Sequence, residues 1–118
     1  MATQSSRLVL QTDANITRVE FLDRNILEEA SIQQIGDEIG QIIEQAPNPK
    51  ILICFKNVEH LSSAALGMLI NLQKEVGKQS GALKLADIRP QIYEVFKITR
   101  LSRMFDIHES VEEALAKF

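Results

Sequence analysis

The sequence predicts an α/β domain with a mixed, mostly parallel sheet of four to five strands and about four helices. Three observations predict it. Residues 50–55, Lys-Ile-Leu-Ile-Cys-Phe, form a short continuous apolar run, the pattern of a central strand covered on both faces. On either side of that run, strand-like and helix-like segments alternate, which requires right-handed crossovers between parallel strands. Ahead of the first helix, two strand-like segments flank turn residues, which adds an antiparallel hairpin at one edge.

Taken in order, residues 1–6 are polar and expected to fray. Residues 7–11 and 16–22 read as strands, the second alternating Ile16, Val19 and Phe21 imperfectly with polar residues. Asp13-Ala14-Asn15 between them is turn material. Ser31 and Gln34 have capping-box spacing, and Ile32, Ile35, Ile39, Ile42 and Ile43 recur on one helical face, up to Pro47. Gly36 and Gly40 share another face of that helix and suggest a close backbone approach. After the strand at 50–55, a helix from Ser62-Ser63 to about residue 78 presents Leu66, Leu69, Ile70, Gln73 and Val76 inward, and Ser80-Gly81 closes it. Leu83 to Ala86 is the next strand, and Pro90 opens a helix with Ile92, Val95 and Phe96 inward. Met104 to Ile107 reads as a short edge strand. Ser110 and Glu113 have capping-box spacing again, opening a last helix with Val111, Ala114 and Leu115 inward. The expected order is β-β-α-β-α-β-α-(β)-α, one domain over residues 1–118 with its core at about 7–117.

The 118 residues, 45% hydrophobic and 25% charged, have the balance of an ordinary globular domain. The formal net charge of -3 lacks the basic footprint of a nucleic-acid binder and does not suit an anionic membrane surface. There is no tryptophan and one tyrosine, so a base-stacking platform is not expected. No segment approaches the roughly 20 apolar residues of a membrane span. The polar N-terminus has no signal-peptide core, so a cytoplasmic location is the expectation. The single cysteine, Cys54, sits in the apolar run and reads as a core residue. No Cys/His cluster has metal-ligand spacing, and neither glycine-rich phosphate loop is present, so neither metal nor cofactor is expected.

Ser62-Ser63 stands where a central strand hands over to a helix. The first N–H groups of a helix lack partners, and its dipole favours negative charge there. A serine at that point serves as an N-cap, or it accepts a phosphate that would meet the same N–H groups favourably.

The run from Val58 to Ile70, Val-Glu-His-Leu-Ser-Ser-Ala-Ala-Leu-Gly-Met-Leu-Ile, resembles the signature of STAS domains, the anti-sigma-factor antagonist family. That signature is an apolar residue, Asp-Ser-Ser-Gly-Leu-Gly, then an apolar helix. Aligned on Leu66-Gly67, Ser63 falls on the family's phosphoacceptor serine and Ser62 on the preceding aspartate. Ala64 replaces the second serine and Ala65 the glycine. Gly81 to Ala86, Val95 to Leu101, Met104 to Ile107 and Ser110 to Leu115 resemble later parts of the family, and Leu22-Asp23 resembles an early Leu-Asp. The resemblance covers about residues 15–117. It implies a STAS-like fold and a partner-switching function without catalysis. An anti-sigma factor that is also a serine kinase would bind the unphosphorylated domain, and a phosphatase would restore that state. Ser63 would be the acceptor, with Ser62 as the alternative. Asn57, Glu59, His60, Ser62 and Ser63, joined through the resemblance by Asp23, would form the partner surface.

Three other readings compete. A non-phosphorylated STAS scaffold in a larger assembly fits the altered motif. A serine-dependent enzyme has His60 near Ser62-Ser63, without the Gly-x-Ser-x-Gly elbow. A phosphoaspartate receiver would need an aspartate after the central strand, where this chain has Lys56-Asn57.

Overall fold

The computed structural model describes residues 2–4, 8–13 and 15–118, with the backbone alone for 2–4 and 13. The strands are β1 (Ala2–Gln4), β2 (Leu8–Asp13), β3 (Ile16–Phe21), β4 (Asn25–Ile26), β5 (Lys50–Cys54), β6 (His60–Leu61), β7 (Ala82–Ala86) and β8 (Asp106–His108). The helices are α1 (Glu29–Gln45), α2 (Ser63–Lys78), α3 (Pro90–Ile98) and α4 (Val111–Ala116), with a 3-10 turn at Leu101–Arg103. The main sheet runs β1-β2-β3-β5-β7-β8, and β4 pairs with β6 in a separate two-stranded ribbon. Pairing is antiparallel from β1 to β3 and parallel from β3 to β8.

The five expected strands are all present, and a sixth joins them. Ala2–Gln4, expected to fray, pairs with β2 in the register Ala2↔Gln11 to Gln4↔Val9. A polar segment can lie on an edge strand because its backbone bonds, not its side chains, hold it there. The hairpin between β2 and β3 is as expected, with Asn15 in the left-handed region at φ 70°. Residues 1, 5 and 6, expected to fray, and residues 7 and 14, where the first strand and its turn were expected, lie outside the described residues.

The two faces of the sheet carry separate cores. On one face Leu8, Val19, Phe21, Ile51 and Ile53 pack under the helices, against Ile35 and Ile39 of α1 and Leu69 of α2. On the other, Leu52, Cys54 and Ala86 pack beneath Val111 and Ala114 of α4. β5 therefore buries residues of both parities, which is why its sequence is continuously apolar. The broken alternation of β3 has the same cause: Val19 and Phe21 serve the first core, while Ile16 packs against the second.

Several expected details change. α1 begins at Glu29, so Ser31 is buried inside the helix rather than capping it. The chain is extended through Glu28 and turns helical at once, with Ile32 N–H donating to the Glu28 carbonyl at 3.0 Å. Gln34 donates to Glu38 instead of closing a capping box. On α2 the deeply buried set includes Ala65, Met68 and Leu72, while Ile70 and Gln73 are half-buried. That wider buried arc follows from α1 packing beside the helix. Leu115 of α4 is exposed. The edge strand starts at Asp106, because residues 101–103 form the 3-10 turn.

Of the two glycines on α1, Gly36 makes the close approach: a Cβ there would lie 3.1 Å from Met68 Cγ, whereas at Gly40 nothing lies within 4 Å. After α2 the left-handed residue is Ser80, at φ 57°, not Gly81. Gly81 is needed for space, since a Cβ would collide with the Pro49 carbonyl oxygen.

Candidate functional site

β3 and β5 are adjacent and parallel, so the loops leaving their C-terminal ends emerge side by side. The β4-β6 ribbon then ties the two loops together in the register Asn25↔His60 and Ile26↔Leu61. The Arg24 carbonyl accepts from the N–H groups of Glu59, at 2.7 Å, and His60, at 3.1 Å. The Ile26 carbonyl accepts from Ser62 N–H at 3.1 Å. The start of α2 is thus held against the chain that leads into α1.

The two serines have different surroundings. Ser62 is the N-cap of α2, extended at φ -83° and ψ 167°, and its hydroxyl accepts from Ala65 N–H at 3.1 Å. Its carbonyl accepts from Leu66 N–H, the first turn of the helix. Ser63 is the first helical residue and is exposed. The N–H groups of Ser63 and Ala64 have no acceptor among the described residues. They are the unpaired donors of a helix start, where an anion is favoured.

The other expected surface residues divide as well. Glu59 and His60 lie on the ribbon beside Ser62, with His60 exposed. Glu59 pairs with Arg24 at 3.6 Å, a solvent-facing contact in which the Arg24 side chain is 79% exposed. Such a pair is worth at most about 1 kcal/mol. Asp23 is half-buried in the same loop. Asn57 turns inward and donates from Nδ2 to the Phe21 carbonyl at 3.0 Å, so its amide joins the two loop roots.

Two rim residues were not legible beforehand. Arg24 and Leu27, the latter 53% exposed, reach this place only through the β4-β6 pairing. A two-residue strand has too few positions for a periodic pattern, so the sequence carried no sign of it.

Outside this rim, burial raises the Cys54 thiol pKa, and its Sγ lies 3.6 Å from Asp87 Oδ2. Beneath α4, the buried Lys84 ammonium pairs with Asp106 and sits 5.1 Å from the centre of the Phe118 ring. The hydrogen bond from Lys84 holds the Asp106 carboxyl below the usual carboxylate range. His108 Nε2 is 2.9 Å from Asp106, and its Nδ1 is 3.4 Å from Glu113. Among the described residues, no group of three metal-ligating side chains occurs, and no helix is long and apolar enough to cross a membrane.

Comparison with known proteins places this geometry in context. The STAS domain family profile matches residues 10–114. The chain is 37% identical over 78 residues to the anti-sigma-B factor antagonist of Bacillus subtilis, covering 66% of this chain and 70% of that protein. It is 33% identical over 66 residues to a putative anti-sigma factor antagonist of Thermotoga neapolitana, covering 56% of this chain and 58% of that protein. Among solved structures, a STAS domain protein of Planctomyces limnophilus superimposes with a TM-score of 0.85 at 21% identity, covering 93% of this chain and 96% of that one. The Bacillus cell fate determinant SpoIIAA, in its phosphorylated form, superimposes with a TM-score of 0.70 at 18% identity, covering 93% and 97%.

Proposed function

Because the chain belongs to the STAS domain family, we propose that it is an anti-sigma-factor antagonist that binds an anti-sigma factor through the rim around Ser63. In this reading the anti-sigma factor is also a serine kinase, phosphorylation of Ser63 ends the binding, and a phosphatase restores it. The relatives named above are regulators, and the reading assigns no catalytic residue to this chain.

The observation that carries the proposal is the division of labour in the serine pair. The Ser62 hydroxyl is engaged by Ala65 N–H, whereas Ser63 is exposed beside unpaired N–H groups. A kinase meets a free hydroxyl at Ser63. The phosphate it adds carries about -1.5 to -2 charge, which the helix start tolerates. At a packed interface the same group brings bulk and a desolvation cost, so the switch acts on complementarity and leaves the fold intact. Support also comes from SpoIIAA, a structural neighbour solved in a phosphorylated form.

The test compares wild type, Ser63→Ala and Ser63→Asp for binding to a serine-kinase anti-sigma factor of the same cell. Wild type and Ser63→Ala bind, Ser63→Asp does not, and equal binding by all three would sink the proposal. The altered motif at Ser62, Ala64 and Ala65 favours a second reading, a STAS scaffold that is never phosphorylated. Intact-mass measurement on protein from its native cell separates the two. A phosphatase-sensitive species heavier by about 80 Da supports the switch, and its absence under all growth conditions supports the scaffold.

A further inference from the structure

The surface farthest from explanation is the knuckle formed by the end of α3 and the 3-10 turn after it. Ile98 is 78% exposed, Met104 42% and Tyr93 39%, although each is large and apolar. Exposed apolar side chains concentrated on one short stretch of chain mark interaction surfaces more often than isolated ones do. The knuckle is held in place: Gln73 of α2 donates to the Met104 carbonyl at 2.8 Å, and Thr99 Oγ1 donates to the Val95 carbonyl at 2.7 Å. It is also basic. Lys97 lies 5.8 Å from the Tyr93 ring centre and 3.5 Å from Glu94. Arg100 and Arg103 have no ion-pair partner among the described residues.

The same chain presents the complementary surface. Between α1 and α2 runs an open groove of about 810 Å³ whose walls include Glu29, Asp37, Glu44 and Glu75. Among the described residues, no lysine or arginine lines it. Its lining includes Gly40 and Gly67, where an incoming apolar side chain can approach the backbone closely, whereas Gly36 is covered by Met68. Among the described residues, no other element comes within 4 Å of a Cβ placed at Gly40 or Gly67. Among the described residues, Glu29, Glu44 and Glu75 have no ion-pair partner, and Asp37 accepts only a hydrogen bond from Gln33, at 3.1 Å.

We propose that the occupant of the knuckle is a second copy of this chain. Ile98 and Met104 of one copy seat on the glycine floor of the other's α1-α2 groove, and Lys97, Arg100 and Arg103 face its carboxylates. Charge complementarity between two surfaces of one chain carries the assignment. The contact joins different surfaces, so it is head-to-tail and leaves a free knuckle and a free groove at the ends of any assembly. It uses no side chain of the Ser63 rim, although Ala64, next to Ser63, lines one end of the groove.

Sedimentation equilibrium of the full chain tests it. At low salt the weight-average mass of wild type rises with concentration above that of one chain. Association falls about tenfold or more in 0.5 M salt, where exposed charge pairs are screened. Arg100→Glu with Arg103→Glu removes the basic knuckle, and Asp37→Lys with Glu44→Lys reverses the groove. Each double variant alone stays single, with a wild-type circular dichroism spectrum and melting temperature, because all four side chains are exposed. Mixed, the two variants associate again, since the intact basic knuckle of one meets the intact acidic groove of the other, and the reversed, acidic knuckle meets the reversed, basic groove. Single chains at every concentration would overturn the proposal and leave the knuckle to a different, acidic partner. Association undiminished in both double variants, or a mixture that does not pair, would overturn it equally.

Discussion

The Ser62 hydroxyl accepts the Ala65 N–H at 3.1 Å, so the first hydroxyl of the serine pair is spent on the helix and the second is not. Ser62→Ala is expected to lower unfolding stability by about 1 kcal/mol, the usual cost of losing an N-cap. Ser63→Ala is expected to stay within about 0.5 kcal/mol of wild type, as exposed positions do. Urea denaturation at equilibrium measures both. A larger loss at Ser63 than at Ser62 would reverse the roles assigned here.

Ser63→Asp is expected to melt at or slightly above the wild-type temperature. A carboxylate in the first turn of a helix gains about 0.3–1 kcal/mol from the dipole and the unpaired N–H groups. A melting temperature several degrees below wild type would contradict tolerance of charge at this position.

Leu27 lies directly after the strand pair that carries Ser62, and its side chain is 53% exposed. If the Ser63 rim is the partner surface, Leu27 supplies its apolar contact. Leu27→Asp should then weaken binding to the anti-sigma factor by about tenfold or more, since covering a leucine gains about 1.5–3 kcal/mol. Calorimetric titration reads the affinity, and thermal melting checks that the fold is unchanged. Unaltered affinity would remove Leu27 from the surface.

Gly40 and Gly81 should respond oppositely to alanine. Nothing lies within 4 Å of a Cβ at Gly40, so Gly40→Ala is expected to stabilise by about 0.5–1 kcal/mol through helix propensity. At Gly81 a Cβ meets the Pro49 backbone carbonyl oxygen and, at 2.8 Å, two atoms of its closed ring, none of which can move aside cheaply. Gly81→Ala is expected to destabilise. Thermal melts of the two variants shift in opposite directions, and a neutral Gly81→Ala would contradict the contact.

The ion pair under α4 sets a pH dependence. Lys84 holds the Asp106 carboxyl below its ordinary pKa in the folded chain. In the window between the lowered folded value and the unfolded one, at about 3.9, the unfolded chain binds more protons. The contribution is therefore fully present above the unfolded value and is lost as pH falls through the folded one. It is modest, because the Asp106 side chain is 52% exposed and screened. Lys84→Met should flatten the acid limb of a melting-temperature profile below about pH 4. An unchanged limb would show that Asp106 does not contribute to it.

How much of this was legible beforehand depends on the range of the interaction. The continuous apolar run at 50–55, the isoleucine repeat of α1 and the Ser110 cap of α4 are local patterns, and the α/β order was readable from them. The Ser110 hydroxyl accepts Glu113 N–H at 3.1 Å, as its spacing predicted. Ser31 has the same spacing and caps nothing, because the chain approaching it is already helical at Glu29. The place of Ser62-Ser63 between strand and helix was readable too, but not which hydroxyl is free. That follows from where the chain leaves the extended conformation, and the Ile26 carbonyl anchors that point across 36 residues of sequence. Arg24, Leu27 and the pairing of knuckle with groove also belong to the tertiary structure alone. They arise from parallel strands that bring distant loops and helices together, and no local periodicity records which residues will meet.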